Sequence, residues 1–503
     1  MRHISLLLTF LIIISLNSLA IDKVEIWDYY EVTLTGPEGG NPFSEVELEA
    51  TFTSEGNDMK VVGFYNGNGV YKVRFMPDET GTWKYVTKSN KKELNGKKGK
   101  FECIPASEGN HGLVKVDKKY HFKYADGKPF YPFGTTCYAW TNQPHSIQEQ
   151  TLETLSTTPF NKIRMCVFPQ NHYWHKIGEP SMYAFEGKPN DFDYSRFNTT
   201  YFDKLEKRIL QLQDMGIECD LIIFHPYDRG RWGYDQMTDE QDDFYLRYLM
   251  ARLSSFRNIW WSLANEYDQM QNKQMEDWDR FFQILQKEDT YQHLRSIHNW
   301  NTWYDHTKPW VTHVSVQDFA TGMRGWIEKY QKPVIVDECR YEGNMHFTWA
   351  DLTPEKMTQQ FWDAVTKGGY ASHGETYMNP TNYIWWAQGS KLYGKSVPRI
   401  AFLKKIIEDF PSNGLLSFNG SPIKWNRLNS VRLEKDYFLF YYGERQHAER
   451  YIELPEDREY KIEIIDTWEM TITKVDGVYR GETRVELPSK PYIALRVTAI
   501  DNK

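Results

Sequence analysis

The segment IWWSLANEYD, Ile259 to Asp268, is an apolar run that stops abruptly at Asn265 and Glu266, with Asp268 two residues on. A buried strand that ends in an amide and a carboxylate is costly unless those groups face a cleft. The pattern recurs downstream. KPVIVDECRYEG, Lys332 to Gly343, is a Val/Ile-rich run ending at Asp337 and Glu338. Two buried strands, each delivering a glutamate at its C-terminal end, predict a paired-carboxylate site at the top of a parallel barrel.

Outward from these two strands, strand-like runs alternate with helical stretches, as a β/α barrel requires. The eight predicted strands are FYPFGTTC (130–137), NKIRMCVF (161–168), IECDLIIF (217–224), NIWWSLAN (258–265), LRSIHN (294–299), VTHVSVQ (311–317), PVIVDE (333–338) and GYASHGE (369–375). Strands three, four and seven are continuously apolar, as strands buried on both faces should be. Helices are expected over 146–155, 201–215, 242–256, 276–287, 354–367 and 397–410, the last with Pro398 in its first turn. The loop 376–396 is long and rich in Tyr, Trp and Asn, and long loops on a barrel top usually carry function.

Both flanks change period. Residues 21–105 alternate apolar and polar between Gly, Pro, Asn and Asp turns, predicting an immunoglobulin-like sandwich of seven or eight strands. Hairpins are expected in YNGNGVYKVRF, about Asn-Gly, and in DETGTWKYV, about Thr-Gly. After the linker ASEGN the barrel takes residues 111–412, and a second small sandwich takes 415–503. The first twenty residues read as a secretory signal peptide. Arg2 and His3 precede an apolar run from Ile4 to Leu16, and small residues precede a cleavage point after Ala20. A secreted or periplasmic protein follows. No cysteine stands at the cleavage point to carry a lipid, and no further apolar stretch is long enough to span a membrane.

Net charge is −8 without long like-charge blocks, which points away from nucleic acid and anionic membranes. The five cysteines are widely spaced with no C-x-x-C pair, so neither a zinc site nor a disulfide framework is indicated. No H-E-x-x-H is present, and no metal or cofactor is expected. Aromatic residues make up 16% of the chain. Aromatic faces stack on sugar rings, and they equally fill sandwich cores. The sequence leaves the oligomeric state open.

In a parallel barrel the site forms where strands end. Strand one ends near Tyr138 and Trp140, strand two carries Arg164, and strand three ends at His225. Strand four ends at Asn265 and Glu266, strand five at His298 with Trp300 next, and strand six at Gln317. Strand seven ends at Glu338, and strand eight at His373 and Glu375, with Trp385 and Trp386 in the following loop. These twelve side chains besides Glu266 and Glu338 are the candidate substrate contacts. Of the two adjacent tryptophans, only one would face the cleft from an extended loop. Asp337 should point away from Glu338 and be structural. Retaining glycosidases hold their two carboxyl groups about 5–5.5 Å apart, inverting ones about 6.5–9.5 Å.

Asn265-Glu266 ending strand four and Glu338 ending strand seven resemble the large clan of retaining (β/α)8 glycoside hydrolases. The whole arrangement is similar to bacterial glycosidases with a DUF5060 N-terminal domain, a DUF4038-like barrel and a DUF5605-like C-terminal sandwich. The resemblance implies that Glu266 is the general acid/base. Its pKa would be raised by Glu338 and by burial among Trp260, Trp261 and neighbouring aromatics. It further implies that Glu338 is the nucleophile, kept ionised by Arg164, and that Asn265 binds the substrate 2-hydroxyl. The clan often places at the end of strand six a tyrosine bonded to the nucleophile. Here Gln317 or His313 would stand in. The expected function is hydrolysis of a poly- or oligosaccharide by double displacement. An inverting glycosidase and a non-catalytic carbohydrate-binding protein on a degenerate barrel are the alternatives.

Overall fold

The computed structural model describes residues 21–171, 178–409, 414–422 and 427–500. The expected signal peptide lies outside the described residues. Eight parallel strands form the central sheet: Phe133–Thr136, Lys162–Cys166, Glu218–Phe224, Ile259–Ala264, Arg295–Ser296, Val314–Gln317, Val334–Glu338 and Tyr370–His373. In hydrogen-bonded order they run five, four, three, two, one, eight, seven, six. Strands five and six are therefore the two ends of the sheet. The seam between them is bridged by the Thr312 amide to the Arg295 carbonyl (3.0 Å) and by the Arg295 amide to Thr312 Oγ1 (2.7 Å).

The helices Thr199–Asp214, Asp239–Leu253, Met275–Glu288 and Pro354–Thr366 pack around the barrel and bury apolar faces against it. Helix 239–253 begins three residues before its apolar pattern does. Thr238 and Gln241 form a capping box there that satisfies the first-turn amides. Two elements carry no sequence signal strong enough to predict. One is the short helix Met323–Tyr330 between strands six and seven; the other is the hairpin Phe185–Lys188 with Asp191–Phe197.

Side chains inside the barrel lie in layers. At the bottom, the small sheet of Val114–Asp117, His121–Tyr124 and Pro129–Phe130 presents Phe122 and Phe130 to Trp260, Ile335 and Tyr370. Above them the lumen is charged. Lys162 Nζ sits 2.6 Å from Asp220 and 2.7 Å from Asp337, and all three are fully buried. Ser315 and Ser372 also donate to Asp337, at 2.6 and 2.9 Å.

Asp337 thus points into the lumen and not away from Glu338, contrary to the alternation expected of a strand. A register shift next to Val316 and Gln317 explains this. Val316 pairs with Val336 but Gln317 pairs with Glu338, so Asp337 is the extra residue of a bulge.

Residues 23–104 supply a five-stranded and a three-stranded sheet packed about Phe52, Phe75, Trp83 and Phe101. Phe64–Tyr65 and Val70–Phe75 form the expected Asn-Gly hairpin. The second expected hairpin is absent. Gly81–Ser89 pairs with Lys98–Ile104 and Leu48–Ser54, so the chain crosses between sheets there. The tilted packing of Phe75 against Trp83 across the core (4.8 Å between ring centres) rewards that crossing. After residue 415 a six-stranded sheet and a two-stranded ribbon follow. Tyr441 of that sheet stacks on Trp362 of helix 354–366, which fixes it to the barrel. All five cysteines are buried thiols.

Candidate active site

The strand ends open into a cavity of about 580 Å³. Glu266 and Glu338 both line it, with Tyr138, Tyr227, Gln317, Tyr341, Trp349 and Trp386 around them. Trp300 stands at its rim, 48% exposed.

Glu266 follows strand four in the left-handed conformation, φ 47°. The peptide on either side is pinned, Asn265 N–H to the Phe224 carbonyl (3.1 Å) and Tyr267 N–H to the His298 carbonyl (3.1 Å). A glutamate pays conformational energy in this region, so the surroundings must impose it. Burial first, and the charge of Glu338 second, bring its carboxyl up to about 7. Hydrogen bonds from Gln317 (3.1 Å) and Tyr227 act in the opposite sense. Trp260 and Trp261 contribute nothing here. Trp260 belongs to the bottom layer, and Trp261 turns outward to Asp289.

Glu338 is held the other way. Burial pushes its carboxyl up, but hydrogen bonding and charge outweigh it and the net direction is down. His298 Nε2 lies 2.9 Å from Oε2, and the Tyr341 hydroxyl donates to Oε1. Arg164 contributes its charge without touching Glu338. Its guanidinium donates to Asn265 Oδ1 (2.8 Å) and lies 3.5 Å from Asp220. So the direct partner of Glu338 is His298, where Arg164 was expected.

Neither stand-in for a strand-six tyrosine reaches Glu338. Gln317 bonds Glu266, and His313 lies in the bottom layer against Trp260 and Phe122. Tyr341, three residues past Glu338, supplies the phenol instead. Arg340 between them is left-handed (φ 70°), which turns the chain back. Gly374 makes room, because a Cβ there would stand 2.0 Å from the Tyr341 ring. The motif E-x-x-Y with a glycine ending strand eight was the available signal.

Asn265 is fully buried under the cavity floor. Its Oδ1 accepts from Arg164 and Tyr138, and its Nδ2 donates to the Tyr227 hydroxyl at 2.6 Å. It therefore orients Tyr227, which itself faces the cavity. Asp268 accepts the amides of Trp300, Asn301 and Thr302 at 2.6–2.8 Å and so fixes the rim loop that carries Trp300.

Five predicted contacts lie elsewhere. His373 stacks on Phe160 and meets Thr135 Oγ1 at 3.2 Å, and Trp385 donates to the same hydroxyl. Strand pleating explains this pair: Tyr370 and Ser372 face the lumen, so His373 faces the helices. Glu375 accepts the Tyr393 and Gly394 amides and pins the loop before the last helix. Trp140 is buried in the core between barrel and helices. His225 bonds the Phe168 carbonyl (3.3 Å) and stacks beneath Tyr227. Trp385 and Trp386 open a short helix, 385–388, and only Trp386 lines the cavity.

Residues 116–426 match the family described as apiosidase-like, catalytic domain, which is more than half of the chain. The chain belongs to the apiosidase-like family. Domains of unknown function flank this apiosidase-like barrel, DUF5060 over 23–90 and DUF5605 over 425–498. A protein of Bacteroides vulgatus described as a candidate glycoside hydrolase is 40% identical, with TM-score 0.90 over 95% of this chain and 100% of its own. A family 5 glycoside hydrolase from the same organism shares the fold at 17% identity, TM-score 0.59, over 77% of this chain and 94% of its own. No curated protein matches. The apiosidase-like protein is a glycoside hydrolase, and its substrate is a carbohydrate.

Proposed function

We propose that the protein is a retaining glycosidase in which Glu338 is the nucleophile and Glu266 the general acid/base. The observation that carries this is the opposite setting of two carboxyl groups in one cavity. Glu338 is held ionised by His298, Arg164 and Tyr341, while Glu266 is held protonated to about 7. Pairs whose environments push their pKa values apart divide into nucleophile and acid.

In the first step a Glu338 oxygen bonds the anomeric carbon, the glycosidic C–O bond breaks, and the Glu266 proton goes to the leaving oxygen. The ester formed carries no charge on Glu338. The second largest influence raising the Glu266 pKa then disappears, so Glu266 becomes the stronger acid and is left as carboxylate. It takes a proton from water, whose oxygen bonds the anomeric carbon and releases Glu338. Tyr138, Tyr227, Trp300, Trp349 and Trp386 offer faces and hydroxyls to the sugar. The N-terminal leader supports action outside the cytoplasm, on polysaccharide-derived chains.

The test is a panel of aryl glycosides, headed by an aryl apioside because of the family's name. Glu266→Gln and Glu338→Ala should both lose turnover while staying folded, and azide should rescue each with opposite anomeric products. A first product of inverted configuration, read by proton NMR, would sink the reading.

A further inference from the structure

Asn265 turns opposite ends of its amide to Arg164 and Tyr227. Arg164 Nη2 lies 2.8 Å from one end, and the Tyr227 hydroxyl lies 2.6 Å from the other. A guanidinium has only donors to offer, so the end facing Arg164 is the carbonyl oxygen and the end facing Tyr227 is the NH2. The Tyr138 hydroxyl shares that carbonyl oxygen at 3.3 Å. Flipping the amide would set N–H against N–H beside a fully buried arginine, which is repulsive where water is excluded. The Tyr227 oxygen therefore accepts from Asn265, and its single O–H is left for another acceptor.

Glu266 is that acceptor. It is hydrogen-bonded to the same phenol, and as carboxylate it offers only lone pairs. Burial foremost, and then the Glu266 charge, keep the phenol itself from ionising. Donors thus run in one direction, from Arg164 to Asn265 to Tyr227 to Glu266. Glu266 is also faced by Glu338 of strand seven, Gln317 of strand six and Asp268 of its own loop.

We propose that Asn265 is a positioning residue: by occupying a lone pair of the Tyr227 oxygen, it commits the phenol proton to the acid/base Glu266. Asn265 is buried and does not line the cavity, so it acts on the reaction through Tyr227. The phenol supports Glu266 most in the second step, when Glu266 is the carboxylate that takes a proton from water. The inference rests on reading Glu266 as the general acid/base.

The test reverses the chain of donors. In Asn265→Asp the atom facing Tyr227 becomes an oxygen with lone pairs only, so the phenol must turn its proton away from Glu266. Glu266 is titrated by 13C NMR of labelled glutamate, assigned with Glu266→Gln, and by the alkaline limb of kcat/KM on an aryl glycoside. Tyr227→Phe should raise the Glu266 pKa by about one unit, the loss of one charged hydrogen bond. Asn265→Asp should raise it further, because it also adds a negative charge. In the Tyr227→Phe background the same substitution acts through charge alone, so its effect should be smaller by about one unit. Equal effects in the two backgrounds, or an unmoved Glu266 pKa in Tyr227→Phe, would overturn the inference. The NMR titration needs no turnover, so it fails separately from the assignment of Glu266, which the azide products of Glu266→Gln test.

Discussion

Tyr341 donates its hydroxyl to Oε1 of Glu338 from three residues downstream on the same loop. The nucleophile and the phenol that steadies it thus arrive on one turn of chain, with Gly374 leaving the space the ring occupies. A hydrogen bond to a charged group is worth about 1.5–3 kcal/mol, so Tyr341→Phe should lower kcat about 10- to 100-fold. It should also raise the acid limb of the pH profile, because Glu338 then protonates more easily. Gly374→Ala, which crowds the ring, should reproduce both effects in weaker form. An unshifted acid limb in Tyr341→Phe would count against the role given to the phenol.

The alkaline limb belongs to Glu266. A general acid works protonated, so kcat/KM should be full below about 7 and fall as pH rises through it. Gln317 bonds the Glu266 carboxylate and holds its pKa down. Gln317→Leu should therefore move the alkaline limb upward by about one unit, the equivalent of one charged hydrogen bond. The pH profiles of the two proteins on one aryl glycoside decide it.

The left-handed backbone of Glu266 gives activity and stability opposite signs. Glycine adopts that conformation freely, so Glu266→Gly should abolish turnover and yet stabilise the fold by roughly 1 kcal/mol. Thermal unfolding of the two proteins side by side would falsify this if the variant melts lower.

Asp268 holds Trp300 only through the rim loop. Asp268→Ala should raise KM several-fold with kcat nearly unchanged. Steady-state kinetics on a substrate long enough to reach the rim separates the two parameters.

Lys162 is the buried counter-ion of Asp220 and Asp337. Removing one partner of a buried network leaves uncompensated charge, at a cost of about 3–5 kcal/mol. Lys162→Met should lose stability of that order in urea unfolding. The double variant Lys162→Met with Asp337→Asn should recover part of it.

Much of this was legible in the sequence because burial writes itself into residue type. Strands four and seven are apolar almost to their ends, and each glutamate interrupts such a run, so both cavity carboxylates stand out. What was not legible depends on parity and on long-range pairing. One residue of pleat separates Ser372, in the lumen, from His373, among the helices. A single bulge brings Asp337 and Glu338 to the same side. The partners His298, Ser315 and Tyr341 come together only when strands five, six and seven are side by side, and no local pattern encodes that.

The seam between strands five and six has a consequence for how the enzyme loses function. Strand five is two residues long, and the backbone-to-backbone bond across this seam is the Thr312 amide to the Arg295 carbonyl, the other ties being made by side chains of Thr312, Arg295 and His298. Segments with few backbone bonds open first and at lower free energy than the whole domain. The amides around Arg295 and Thr312 should thus exchange with solvent ahead of the rest of the barrel. His298 and Ser315 flank that seam, so heat or denaturant should silence the enzyme while its circular dichroism is still native.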